Sequence, residues 1–174
     1  MQEKGKQRDF ISRAGMSMTV IAWIIFLAML FGVFDYLVSQ RTNPNQNIVT
    51  TIDGYQKEIV LQRNVYGHYV SNGTINGNTV VFLLDTGASD IAIPESIADE
   101  IGLEKGRDIF VKTANGNTRA YRTRLDSVAL GDITLYDLNA TILTNITGRE
   151  ILLGMNFLKH LEIVQKGKTL TIRQ

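Results

Sequence analysis

The 174 residues include no cysteine, two histidines, two prolines and one tryptophan. Without cysteine there is no disulfide, no thiol nucleophile and no thiolate metal site. His68 and His160 alone cannot build a histidine-rich metal centre, and both read as structural or surface residues. A formal charge of +1 gives no electrostatic reason to expect nucleic acid as a partner. Walker loops, dinucleotide fingerprints and zinc signatures are absent as well. With 44% hydrophobic and 20% charged residues, the chain is not disordered throughout.

That average conceals a division. Residues 1–17 carry Lys4, Lys6, Arg8 and Arg13 against Glu3 and Asp9. Residues 18–38 (MTVIAWIIFLAMLFGVFDYLV) hold one charge, Asp35. At about 1.5 Å per residue this run spans about 31 Å, the hydrocarbon thickness of a bilayer. It has no polar stripe, so it does not read as a core helix. A cleaved signal peptide is the alternative, but the run is long and Leu37-Val38-Ser39-Gln40 is a poor small-x-small site. The basic flank precedes the run, so the positive-inside rule expects residues 1–17 in the cytoplasm and the rest across the membrane. In a Gram-negative bacterium this describes a single-pass inner-membrane protein with a periplasmic domain. Residues 39–54 (SQRTNPNQNIVTTIDG) read as a polar linker, and 55–174 as the folded domain.

From Tyr55 the pattern is short β-branched runs punctuated by turns. Strands are expected at 58–62, 69–75, 79–84, 108–113, 118–124, 125–130, 134–143, 163–164 and 169–172. Asn76-Gly77-Asn78, Ala114-Asn115-Gly116-Asn117 and Gln165-Lys166-Gly167-Lys168 mark hairpin turns. One short helix is expected from Pro94 to Ile101, with proline in its first turn and Gly102 beyond its end. Many strands and one helix in about 120 residues imply a small closed β-barrel or a sandwich.

Chemistry concentrates in Val80-Val81-Phe82-Leu83-Leu84-Asp85-Thr86-Gly87-Ala88-Ser89. Five apolar residues predict a buried strand that ends in a carboxylate. A carboxylate there is costly unless hydrogen-bonded. Thr86 can bond nearby backbone, and Gly87 lets the chain turn with its amide aimed at Asp85. A plain Asp-Thr-Gly turn is the simpler reading of the tripeptide; its apolar approach and the following Ala-Ser favour a catalytic one. Sixty-seven positions beyond Gly87, Gly154 interrupts the apolar run Ile151–Leu158, which signals close backbone approach.

Together these segments resemble the aspartic proteases of the retroviral-pepsin type, and more narrowly the bacterial membrane-anchored retropepsin-like proteases. The resemblance covers about residues 58–174. It is carried in order by Gly67-His68-Tyr69, Leu83–Ser89, Ala98–Leu103, Thr113–Gly116 and Leu152–Leu158. It implies an all-β, closed acid-protease barrel with one short helix, preceded by a membrane helix. Asp85 is then the catalytic carboxylate, Thr86 the residue locking two active-site loops across a dimer, and Gly87 the tight turn facing substrate. Ala88 and Ser89 would line the cleft, with Asp90 as a loop or subsite residue. The hairpin at Ala114, Asn115 and Gly116 would be a flap closing over peptide. Gly154 would pack on the active-site strand, and Asn156 would open the closing helical turn. The retroviral ion pair between an aspartate and an arginine is absent, because Ser89 and Met155 hold those positions. Both partners are replaced, so neither charge is stranded.

The implied chemistry uses two carboxylates, no cofactor and no metal. One Asp-Thr-Gly per chain makes a homodimer a requirement of that chemistry. The expected partners are therefore a peptide or protein substrate, a second copy and, through residues 18–38, the lipid bilayer. The competing reading is a membrane-tethered peptide-binding or assembly module on the same fold.

Overall fold

The computed structural model describes residues 3–113 and 116–174, with backbone alone given for residues 3–17 and Thr113. The chain divides into two units, one ending at Gln40 and the other comprising Arg41–Gln174. The described residues of the first lie within helix α1 (Glu3–Thr42). The stretch Met18–Thr42 of that helix, whose most apolar 18-residue window has a mean hydropathy of 2.3, is long and apolar enough to cross a membrane. Large apolar side chains such as Trp23, Ile25, Phe31 and Phe34 are exposed along it.

The second unit is almost entirely strand. A four-stranded antiparallel sheet runs β1 (Thr50–Asp53), β2 (Gln56–Gln62), β11 (Thr169–Arg173), β10 (Glu162–Lys166). Ile59, Leu61, Leu170 and Ile172 point inward while Val60 and Val164 stay exposed, the alternation a half-buried sheet demands. The second sheet has seven strands in the order β3 (Val70–Ile75), β4 (Asn78–Leu84), β9 (Glu150–Leu153), β5 (Ile91–Pro94), β8 (Ile133–Leu143), β7 (Gly116–Leu130), β6 (Asp108–Thr113). Thr74 and Ile75 of β3 also pair with Ala129 and Val128 of β7, closing the sheet into a barrel. Strand β6 branches from that circuit as a hairpin with the start of β7.

Local chemistry accounts for the joints. Asn76 (φ 50°) and Gly77 (φ 80°) adopt the left-handed conformations a two-residue hairpin needs. Helix α2 (Glu95–Glu100) starts behind Pro94 and buries Ile97 and Ala98. Helix α3 (Met155–Leu158) is one turn long and buries Phe157 and Leu158. Phe82, Ile91, Ile93, Leu125, Ile142, Ile151, Leu153 and Phe157 are fully buried. Each such side chain contributes about 1.5–3 kcal/mol by leaving water.

Several details depart from the sequence reading, among them β5 and β9, which lie outside the expected strands. The expected strands 118–124 and 125–130 form one strand, because both pair with β8 and neither glycine nor proline separates them. Strand β4 is buried on one face only: Val80 and Phe82 are inside, while Val81, Leu83 and Leu84 are partly exposed. Within 39–54 the chain is ordered, carrying β1 and two buried asparagines, Asn43 and Asn45. The Asn45 side chain donates to Gln62 O (2.9 Å) and Val70 O (2.7 Å) and accepts from Gln62 N (2.7 Å). It thereby satisfies backbone groups where β2 ends and β3 begins. Its own carbonyl accepts from the Ser71 hydroxyl (3.0 Å).

Candidate active site

The topology decides where Asp85 sits. Strands β4 and β9 are parallel, with Leu84 opposite Leu153. Strand β5 lies on the other side of β9, pairing through Ala92 and Leu152. The loop 85–90 joining β4 to β5 therefore has to arch over the C-terminal end of β9. Asp85 N donates to Leu153 O (3.2 Å), which holds the loop's first residue to that strand end.

The loop is braced from within and below. Gly87 N donates to Asp85 Oδ1 (2.8 Å), and Ala88 N to Asp85 O (3.2 Å). One carboxylate oxygen is thus fixed by a backbone amide, and Oδ2 has no hydrogen-bond partner among the described residues. As α3 begins, Met155 N donates to Ala88 O (2.8 Å) and Asn156 N to Ser89 O (3.0 Å). Gly154 runs directly beneath this contact. A Cβ there would lie 2.3 Å from Asp90 O and 2.7 Å from Ala88 O, both rigid backbone atoms. Glycine is required at 154 by space. The Asn156 side chain reaches sideways, donating to Asn139 O on β8 (2.6 Å).

Beside the carboxylate lies an open cleft of about 420 Å³. Asp85, Gly87, Ala88, Ser89 and Asp90 form one side, and Ala92, Leu152 and Leu143 supply apolar surface. Val111 and Lys112, on the β6 arm of the hairpin, border it from across. The structure therefore brings Asp85, Gly87, Ala88, Ser89 and Asp90 to one cleft, with Gly154 and Asn156 supporting the loop. Thr86 is exposed at the loop's crest, and its side chain has no hydrogen bond among the described residues. Ala114 and Asn115 lie outside the described residues, while Gly116 (φ 103°) pairs with Thr113 where the hairpin resumes.

One element of the site carried no local signal in the sequence. Arg122 Nη1 contacts Asp90 Oδ2 at 2.5 Å, and the Thr141 hydroxyl lies 3.3 Å from the same nitrogen. Arg122 and Asp90 are 32 residues apart. They meet because β5 and β7 flank β8, where Thr141 stands opposite both Arg122 and Ala92. A charge pair thus exists at the cleft, though not at Ser89 and Met155. Both side chains are partly exposed, so the pair organises the wall more than it stabilises the fold.

Comparison with known proteins agrees with this geometry. The family described as "gag-polyprotein putative aspartyl protease" matches residues 71–160. An uncharacterized protein of Sinorhizobium sp. is 32% identical over 151 residues, covering 85% of this chain and 64% of that protein. An uncharacterized protein of Rickettsia prowazekii is 35% identical over 77 residues, covering 42% of this chain and 33% of that protein. This chain thus aligns with under two thirds of each relative's length. A crystal structure of a retropepsin-like aspartic protease from Rickettsia conorii superposes with a TM-score of 0.60 at 25% identity. The match covers 72% of this chain and 97% of that one. The matched segment spans the Asp-Thr-Gly loop, the hairpin and the Gly154 turn, and on that ground the chain belongs to the retropepsin-like aspartic protease family.

Proposed function

We propose that this chain is a membrane-anchored aspartic endopeptidase whose catalytic dyad forms between two copies. The observation that carries it is the braced Asp85: one oxygen tied to Gly87 N, the other without a hydrogen-bond partner among the described residues, at the edge of a cleft of about 420 Å³. A lone carboxylate cannot be base and acid at once. Two Asp85 side chains brought together by two-fold symmetry share one proton, because two adjacent like charges resist full ionisation.

The reaction follows from that arrangement. A water held between the carboxylates attacks the scissile carbonyl carbon, and the ionised Asp85 takes its proton. The protonated Asp85 of the other copy gives its proton to the carbonyl oxygen, forming a neutral gem-diol. Collapse reverses the roles: the amide nitrogen gains a proton, the C–N bond breaks, and carboxyl and amine products separate. Gly87 N supports Asp85 Oδ1 throughout. Thr86, exposed and with no side-chain hydrogen bond among the described residues, would be the side chain that joins the two loops. Ala88, Ser89 and Asp90 would contact the peptide, and the hairpin containing Ala114, Asn115 and Gly116 would cover it.

Placement at the inner membrane, with the protease domain in the periplasm, is supported by the apolar stretch Met18–Thr42 and the basic residues before it. The anchor would confine both copies to one surface and raise their effective concentration. Asp85→Asn tests the assignment. The amide is nearly isosteric but cannot share the proton, so peptide cleavage should fall by several orders of magnitude while the domain stays folded. Cleavage by Asp85→Asn near the wild-type rate would remove the protease reading from this site.

A further inference from the structure

The four-stranded sheet ends in a strand with a free edge. β10 (Glu162–Lys166) pairs with β11 on one side and with no strand among the described residues on the other. The ladder fixes which groups that edge presents. Gly167 (φ 61°) and Lys168 form the two-residue turn from β10 to β11, so Lys166 and Thr169 are a hydrogen-bonded pair. Bonded pairs then alternate along the hairpin, Val164 with Thr171 and Glu162 with Arg173. The next strand agrees: Gln174 and Lys57 exchange both backbone bonds (3.0 Å each), which commits Ile172 and Leu170 to β2. The amides and carbonyls of Ile163 and Gln165 are left facing outward. Proteins normally blunt such an edge with proline, a bulge or repelling charge. β10 has no proline and an unbroken register.

Its charges suit a copy of itself. Antiparallel pairing about a two-fold axis at Val164 sets Ile163 opposite the partner's Gln165, so the outward-facing groups meet. It also sets Glu162 opposite the partner's Lys166, and symmetry forms that ion pair twice. Glu162, Val164 and Lys166 are all exposed. Arg173 is held closely by Glu58 (2.6 Å) and reaches Glu162 only at 3.4 Å, while Lys166 has no ion pair among the described residues. The row Glu58–Arg173–Glu162 thus has two carboxylates to one cation, and the partner's Lys166 restores the balance. Sliding the register by two residues in either direction sets Glu162 or Lys166 opposite Val164 instead. The other free edges match less well. β1 carries Asp53 and no cation, and on β6 Asp108 is already held by Arg119 (2.6 and 2.7 Å).

From this we infer that β10 pairs antiparallel with β10 of a second copy, merging two four-stranded sheets into one of eight with Val164 at the axis. The inference rests on the two-copy reading proposed above, because this contact would hold together the copies that share the dyad. Three residues separate β10 from α3, the turn bonded to Ala88 and Ser89, so one short segment ties the contact to the catalytic loop.

Because the chain has no cysteine, a single introduced one reports the contact. Across a non-hydrogen-bonded pair the Cα atoms lie about 4.5 Å apart, within disulfide range. Full-length Val164→Cys in detergent should become more than about half covalent dimer on mild oxidation. Val60→Cys is the control. It is similarly exposed (46% against 41%) on the same sheet face, but five strand spacings, about 24 Å, from its copy. Adding Lys166→Glu to Val164→Cys should cut linkage at least about tenfold, and so should adding Glu162→Lys, since each opposes like charges twice. Mixing those two proteins restores both ion pairs and should restore linkage. The linked Val164→Cys dimer should cleave casein at no less than about half the rate of the reduced protein. If Val164→Cys links no more than Val60→Cys while Asp85→Asn chains still suppress wild-type cleavage, pairing at β10 is refuted and the two-copy reading stands. If linkage fails and Asp85→Asn chains suppress nothing, both fall. A linked dimer that regains cleavage only on reduction refutes the claim that this contact holds the dyad together.

Discussion

Gly154→Ala is the most demanding single-atom test of the site. The added Cβ would sit 2.3 Å from Asp90 O, 2.8 Å from Asp90 C and 2.7 Å from Ala88 O. Carbon and oxygen tolerate about 3.2 Å, so the loop or the turn must retreat by nearly 1 Å. None of the three atoms belongs to a side chain that could rotate away. Overpacking of this kind costs about 1–3 kcal/mol. Retreat also stretches Met155 N to Ala88 O and Asn156 N to Ser89 O, each worth about 1 kcal/mol net. We expect a destabilisation of about 2–5 kcal/mol. Because the displaced segment carries Asp85, kcat/KM should fall by about a hundredfold even where the protein remains folded. Urea denaturation of the full chain in detergent measures the first effect, and peptide cleavage at low denaturant measures the second. Gly148→Ala is the control, since its Cβ meets only the flexible Glu150 carboxylate at 3.4 Å. A Gly154→Ala protein as stable and as active as the Gly148→Ala control would refute the claim that β9 and α3 brace the 85–90 loop.

Three further outcomes follow from named contacts. Asn45→Ala removes three hydrogen bonds at a buried site and should cost about 2–4 kcal/mol by denaturant titration; a fragment beginning at residue 55 should be less stable than one beginning at 41. Arg122→Met frees the Asp90 carboxylate at the cleft wall; a several-fold rise in KM with little change in kcat is expected, a stability change under about 1 kcal/mol, and suppression of the KM effect by Asp90→Asn. The Arg124 guanidinium holds the exposed Asp137 carboxyl below its ordinary range. A depressed carboxyl stabilises the fold above the unfolded-chain value of about 3.9, and that contribution is lost as pH falls through the lower folded value. Asp137→Asn should therefore flatten the acid limb of the stability profile slightly, with a small pH-independent change above it, as thermal melts across pH would show.

Local patterns were legible wherever one residue type decides the geometry. Asn76-Gly77 placed the first hairpin, Pro94 and Gly102 bracketed α2, and the apolar run before Asp85 marked β4. Gly154 signalled close approach, although only the β4-β9-β5 order shows that the approaching segment is the 85–90 loop. Contacts between distant strands left no trace. The Asp90–Arg122 pair depends on the register of β5, β8 and β7, and Arg122 in isolation reads as an ordinary exposed strand residue. Residues 43–49 were opaque for a different reason. Three asparagines and a proline favour turns and solvent, yet Asn45 is buried with its amide bonded to backbone at the end of β2 and the start of β3, and Asn43 is buried with its Oδ1 accepting from Asn45 N and its Nδ2 donating to the Asn72 side chain.

The central claim is that two chains share one active site, and mixing Asp85→Asn with wild-type chains tests it most directly. At a fixed amount of wild-type protein and about nine mutant chains to one, random pairing gives each wild-type chain a like partner about one time in ten. After subunit exchange in detergent, total cleavage should fall to about a tenth, and dilution of wild-type protein alone should lower specific activity as dimers separate. Undiminished activity in the mixture, together with full specific activity in dilute monomer, would place the second catalytic group within one chain and contradict the account.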